Sequence, residues 1–278
     1  MKTDQVLLIE CSDEIGLIYK ISNVLFLNNL NIVRNGEYVD DKNDTFFYRS
    51  EIAGKIDAQV LLSNLTSVLP DGAKINIQPK RTKKIVAFAT KEHHCLGDLL
   101  LRDKYNTFNA EIQAVVSNHE VLRDLVEKFD IPFHYIPTNG LTREEHEAAV
   151  IEKIASYDFD FLVLAKYMRI LTEGFVKKYF PKVINIHHSF LPAFIGANPY
   201  RQAFERGVKI IGATAHFVTS DLDEGPIIHQ NVIQVDHTFN AKTMARAGRD
   251  VETTVFARAL SLVFEDRVMI NGNRTIIF

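Results

Sequence analysis

The chain has 278 residues, 46% apolar and 24% charged, enough to bury a sizeable core as one large or two ordinary domains. A net charge of −3 leaves no electrostatic footprint for nucleic acid, and no apolar run reaches the roughly 20 residues of a membrane span. The two cysteines, Cys11 and Cys95, cannot build a disulfide framework, and the acid-containing start is no secretory leader. The expectation is a cytoplasmic protein with neither nucleic-acid nor membrane partners.

In chain order, 5–11 reads as a buried strand, and Ser12-Asp13-Glu14-Ile15-Gly16-Leu17 as a turn into a helix ending near Asn28. Ile18, Ile21, Val24, Leu25 and Leu27 keep helical spacing along it. Strands follow at 30–39 and 45–52, joined by the polar turn 40–44. A second helix over 56–69 stops at Pro70-Asp71-Gly72, and 73–77 is a last strand. The order βαββαβ is the split βαβ, ferredoxin-like plan. Gly16 serves as a turn glycine and Asp13 as a helix N-cap, without requiring a ligand.

Pro79-Lys80-Arg81-Thr82-Lys83-Lys84 is a polar linker, which divides the chain into domains at 1–78 and 85–278. Beyond it strands and helices alternate. Strands are expected at 85–89, 111–116, 133–136, 161–164, 183–186, 210–218 and 227–235. Helices are expected at 96–103, 119–129, 143–157, 174–179, 199–205 and 241–264. This grammar predicts an α/β domain with a mostly parallel sheet covered on both faces.

The chemistry concentrates at 183–226. Asn185 and His187 lie two residues apart on an expected strand, so their side chains share a face where the strand enters a Pro- and Gly-containing loop. A later apolar strand leads to an acidic turn holding Asp223, which can meet them. An amide, an imidazole and a carboxylate together suit reaction at a carbonyl carbon. His216 falls mid-strand, the ordinary place of a core histidine, and Met168 and Leu171 read as helix-entry core. The groups His93–His94, Asp98–Asp103 and Glu144–Glu147 match no standard ligand spacing, so no metal or other cofactor is expected.

Two resemblances extend this reading. Asp13-x-x-Gly16-Leu17-Ile18, with Asn31-Ile32-Val33 on the second strand, resembles an ACT domain. That resemblance implies pairing between copies, a homo-oligomer (tetramer or hexamer), and an amino-acid effector, glycine or methionine, at Ser12, Asp13, Gly16 and Leu17. Asn185-Ile186-His187 with Ser189-Phe190-Leu191-Pro192, then His216-Phe217-Val218 and Asp223-Glu224-Gly225-Pro226, resembles the formyltransferase family that handles 10-formyltetrahydrofolate. It implies a Rossmann-like domain whose catalytic set is Asn185, His187 and Asp223, with His216, Leu191 and Pro192 in support. The folate pocket is then expected along Met168, Arg169, Ile170 and Leu171, closed by Ser220 and Leu222, with Leu191-Pro192 a possible cis peptide.

Within that family, the branch that formylates a ribonucleotide holds phosphate in a Gly-rich loop after its first strand, where exposed N–H groups cradle an anion. Here the loop 90–97 has one glycine, an acidic residue and bulky side chains. The expected acceptor is therefore water, and the products formate, for purine synthesis and one-carbon balance, and tetrahydrofolate. A folate-binding regulator is the alternative from another class, against which the complete Asn185/His187/Asp223 set argues.

Overall fold

The computed structural model describes residues 5–193 and 199–278 and divides into two compact units. One runs to Arg81 and takes in Glu265–Met269 and Ile276–Phe278; the other holds Thr82–Phe264 and Ile270–Thr275.

In the first unit, β1 (Gln5–Ser12), α1 (Leu17–Leu27), β2 (Asn31–Asp40), β3 (Thr45–Ala53), α2 (Ala58–Thr66) and β4 (Lys74–Pro79) follow one another. The strands form an antiparallel sheet in the order β2-β3-β1-β4, the split βαβ arrangement. α1 buries Leu17, Ile21, Val24 and Leu25, a series spaced for one helical face, against Leu7, Ile9 and Tyr48. Ile18 and Leu27, expected on that face, lie 42% and 67% exposed, because the stripe is set by Leu17, one position earlier. Asp13 is not the helix cap. Gly16 takes the N-cap position at φ +90°, which glycine adopts without steric cost, and no side chain caps α1. The Asp13 N–H instead donates to the Asp44 carbonyl at 3.0 Å.

The second unit contains β5 (Lys83–Ala89), α3 (His94–Lys104), β6 (Ala110–Ser117), α4 (Arg123–Glu127), β7 (Phe133–Tyr135) and α5 (Arg143–Ile154). β8 (Phe161–Leu164), α6 (Glu173–Tyr179), β9 (Val183–His187), α7 (Pro199–Arg206), β10 (Ile210–Phe217), β11 (Ile227–Gln234) and α8 (Ala241–Phe264) follow. The helix expected over 119–129 is reduced to α4. The sheet order is β11-β10-β9-β8-β5-β6-β7; β7, β6, β5, β8 and β9 run parallel, and β10 and β11 add antiparallel pairs at one edge. After β5 the chain builds outward to β7, then returns to the other side of β5 at β8. The carboxyl ends of strands beside such a reversal open a crevice for ligands. Local caps fix the surrounding helices: Thr142 and Glu145 form a reciprocal capping box on α5, and the Thr172 hydroxyl accepts from the Phe175 N–H on α6. α8 packs on β10 and β11, burying Val255, Phe256, Leu260 and Val263, side chains each worth about 1.5–3 kcal/mol when fully removed from water.

A last hairpin, β12 (Val268–Asn271) and β13 (Arg274–Ile277), lies beyond the elements expected from the sequence. The second expected domain, 85–278, also does not keep its end, since Glu265–Met269 and Ile276–Phe278 group with the first unit. The physical reason is polar: the buried Arg49 guanidinium donates to the carbonyls of Glu265 and Asp266 at 2.9 and 2.7 Å.

No helix among the described residues is long and apolar enough to cross a membrane.

Candidate active site

β9 and β10 pair antiparallel with Asn185 opposite His216 and His187 opposite Thr214. Strand alternation puts Asn185 and His187 on one face, and the register sets His216 beside Asn185. The acidic turn after β10 then delivers Asp223 in a left-handed conformation, φ +57°. Gly225 allows this close return: a Cβ there would lie 1.8 Å from the Phe217 carbonyl oxygen. The Phe217 N–H closes the turn on the Pro226 carbonyl at 3.0 Å.

The resulting polar set is compact. His187 Nδ1 lies 3.2 Å from Asp223 Oδ2, and His216 Nε2 lies 3.6 Å from Asp223 Oδ1. His216 Nδ1 donates to the Phe217 carbonyl at 2.9 Å, since a carbonyl only accepts. Its Nε2 is thereby turned toward the Asn185 amide nitrogen, 3.3 Å away. His187 Nε2 is buried and has no hydrogen-bond partner among the described residues. A buried polar atom without a partner is costly, so one facing a cavity marks where a ligand atom binds. Burial alone would raise the Asp223 carboxyl, but the adjoining His187 and His216 rings outweigh it and hold the group well below the usual carboxylate range. Burial, followed by the nearby Lys166 and His187 charges, pushes His188 down to about 3, so that ring is neutral at ordinary pH.

These groups line a cavity of about 290 Å³. Met168, Arg169, Ile170 and Leu171 form one side, and Ser220 and Leu222 the other, together with Asn185, His187, His216 and Asp223. Two side chains fix the Met168–Leu171 segment from either end. Thr90 Oγ1 accepts from the Met168 N–H at 2.9 Å, and the Glu147 carboxylate accepts from the Thr172 N–H at 2.7 Å and from the Thr172 hydroxyl. Leu191 and Pro192 stay outside the cavity. Leu191 is buried, its N–H donates to Thr214 Oγ1 at 3.0 Å, its carbonyl accepts from Gln230, and the Leu191-Pro192 peptide is cis. The Pro- and Gly-containing loop after β9 is described only as far as Ala193 and again from Pro199. Ser12, Asp13, Gly16 and Leu17 belong to the first unit.

A second polar group goes beyond the sequence reading. Glu252, buried on α8, accepts from Tyr200 Oη at 2.6 Å and faces His94 Nε2 at 2.7 Å and Lys166 Nζ at 3.1 Å. Burial would raise this carboxyl, but His94 and Lys166 bring it down to about 2. Its trace in the sequence is one acid within the apolar helical series Gly248, Val251, Val255 and Ala259. Ligand atoms of His94, Cys95 and Glu252 lie within 4.8 Å of one another, as a metal site would require. Yet Lys166 and Tyr200 already engage the carboxylate, and burial pushes the Cys95 thiol far up, away from the thiolate that binds metals.

A model of the formyl transferase family matches residues 83–260. Over 267 residues the chain is 54% identical to the formyltetrahydrofolate deformylase of Escherichia coli K12, covering 96% of this chain and 95% of that one. The solved structure of a Pseudomonas syringae formyltetrahydrofolate deformylase superposes with a TM-score of 0.94 at 39% identity, covering 99% of this chain and 94% of that one. A glycinamide ribonucleotide transformylase from Symbiobacterium toebii matches 75% of this chain over its whole length, with a TM-score of 0.69 at 27% identity. Full-length identity to the first two, against partial cover by the third, gives the assignment: the chain belongs to the formyltetrahydrofolate deformylases, within the formyl transferase family.

Proposed function

We infer that the chain hydrolyses 10-formyltetrahydrofolate to tetrahydrofolate and formate. The observation that carries this reading is the unpartnered His187 Nε2, held by Asp223 beside the Asn185 amide in one apolar-walled cavity. Water adds to the formyl carbon, and the oxyanion that forms accepts hydrogen bonds from Asn185 Nδ2 and His187 Nε2. Asp223 orients His187 and, directly or through water, relays the proton from the attacking water to the folate nitrogen as the carbon–nitrogen bond breaks. His216, anchored on the Phe217 carbonyl, keeps the amide turned to the cavity. Met168, Arg169, Ile170 and Leu171, with Ser220 and Leu222, hold the pterin. No metal or other cofactor takes part, and turnover is expected to survive exhaustive treatment with a chelator.

Formate release from 10-formyltetrahydrofolate, with and without glycinamide ribonucleotide, tests the reading in wild type and Asp223→Asn. Formate from the wild type without the ribonucleotide, lost in the variant, is the expected result. Formyl transfer only when the ribonucleotide is present would assign the chain to the transferase branch. Absence of turnover would leave a folate-binding regulator.

The first unit, in the same proposal, is an ACT-type domain in a cytoplasmic homo-oligomer, a tetramer or hexamer, that supplies formate for purine synthesis. Supporting association, Tyr19, Phe26 and Leu27 on α1 are 72%, 75% and 67% exposed, and β2 is an edge strand. Supporting an amino-acid effector, glycine or methionine, the uncapped start of α1 offers N–H groups to a carboxylate beside Ser12, Asp13, Gly16 and Leu17. Gly16→Leu should remove any response of turnover to glycine or methionine; an unchanged response would misplace the effector.

A further inference from the structure

A cavity of about 390 Å³, lined by Glu92, His94, Tyr200, Arg249 and Glu252, lies beside the one that carries Asn185, His187 and Asp223. Lys166, Met168 and His188 line both, so they form the partition between the two. The hydrolytic mechanism uses neither the second cavity nor the Glu252 group. An acceptor larger than water would need such a space next to the formyl carbon. A carboxylate on its wall is the natural partner for the ammonium or amine of that acceptor.

Here the carboxylate is occupied from within the chain. Lys166 Nζ sits 3.1 Å from Glu252 Oε2, which also faces His94 Nε2, and the Tyr200 hydroxyl takes Oε1. The backbone on both sides accommodates this arrangement. Lys166 follows the end of β8 in the left-handed conformation, φ +63°, where glycine is the ordinary residue, and its side chain is only 7% exposed. Gly248, one helical turn before Glu252, leaves room for Tyr200: a Cβ there would lie 2.1 Å from the phenol oxygen. Strained backbone at a cavity wall points to a role for the side chain it presents.

We propose that Lys166 is a specificity-determining residue: its ammonium, held on Glu252, takes the place of an amine acceptor and leaves water as the nucleophile. This rests on the hydrolytic reading above and deepens it. An incoming amine meets a like charge at the partition and finds the buried Glu252 carboxylate already engaged, whereas water meets no such barrier. With the ammonium removed, an amine nitrogen can attack the formyl carbon as the bond to the folate nitrogen breaks. One amine proton ends on that nitrogen, and the products are the N-formyl amine and tetrahydrofolate.

The test incubates 10-formyltetrahydrofolate and glycinamide, a small primary amine, with wild type, Lys166→Gly and Lys166→Gly/Glu252→Gln, and measures formate and N-formylglycinamide together. Glycine suits the left-handed backbone, and Glu252 keeps His94 and Tyr200 in the single variant; Lys166→Ala carries the same prediction if the glycine variant does not fold. Wild type should yield formate alone. Lys166→Gly should raise the formylated share of product at least about tenfold, and the double variant, lacking the carboxylate, should fall back to the wild-type share. A single variant that releases formate with an unchanged product ratio overturns the proposal, and so does a double variant that keeps the gain. A wild type that releases no formate overturns the hydrolytic reading itself, and this inference with it.

Discussion

Two buried carboxylates, Asp223 and Glu252, look alike in their electrostatics and differ in what surrounds them. Both are held below the usual carboxylate range by histidine partners, against the opposing effect of burial. Asp223 stands on a left-handed turn and engages His187 through Nδ1, leaving Nε2 of the same ring buried and unpartnered among the described residues. Glu252 stands inside a helix and is taken up by His94, Lys166 and Tyr200, so both of its oxygens are engaged. A depressed pKa therefore does not distinguish a reactive group from a satisfied one. Nor does an unsatisfied ring nitrogen, since His94 Nδ1, like His187 Nε2, is buried without a hydrogen-bond partner among the described residues. What sets Asp223 apart is the Asn185 amide that lines the same cavity.

Deleting Glu252 puts this contrast under the greatest load. Glu252→Ala leaves the Lys166 ammonium buried without its counter-charge, and losses of this kind run to about 3–5 kcal/mol. Urea denaturation should show it, while the activity of the molecules that remain folded persists; a variant as stable as wild type would show that Lys166 finds water instead. Acid probes the same pair. The folded-state pKa of Glu252, about 2, lies below its ordinary value of 4.5. Its contribution is therefore complete above pH 4.5 and lost as pH falls toward 2. Across that window the urea midpoint of wild type should fall more steeply than that of Glu252→Gln.

At the other carboxylate the expected loss is kinetic. Asn185→Ala removes the proposed oxyanion donor and should lower kcat about 10²–10³-fold with little change in the urea midpoint. A stability loss matching the rate loss would make Asn185 a structural residue and erase the contrast. A smaller effect is expected at Thr90→Val, which keeps the shape but leaves the Met168 N–H without its acceptor and Asn118 Oδ1 without its donor, a loss of about 1 kcal/mol for each bond. It should appear as a several-fold rise in KM with kcat nearly unchanged.

How much of this was legible in the sequence depends on whether the cause was local. The strands at 161–164 and 183–187 are short apolar runs with clear ends, and the i, i+2 spacing of Asn185 and His187 suffices to put them on one face. The exposure of Ile18 and Leu27 was not legible, because the apolar residues between Leu17 and Leu27 fit more than one helical stripe and only packing against the sheet selects one. The last hairpin did carry a signal, Asn271-Gly272 between two apolar runs, with Gly272 at φ +60° as such turns require. The Lys166–Glu252 pair had half of one: Glu252 interrupts an apolar helical series, but its partner is far away in the chain, and only the sheet order and the path of α8 bring them together.

The chain order of the first unit has a consequence for biosynthesis. Its strands β1 to β4 leave the ribosome first, yet the carbonyls that satisfy Arg49 belong to Glu265 and Asp266, and the Phe278 ring lies where a Cβ on Gly36 would come within 2.9 Å of it. The unit that emerges earliest is thus completed last, with a buried guanidinium that has only Glu51, on its own strand, as an acceptor until synthesis has passed the whole of α8.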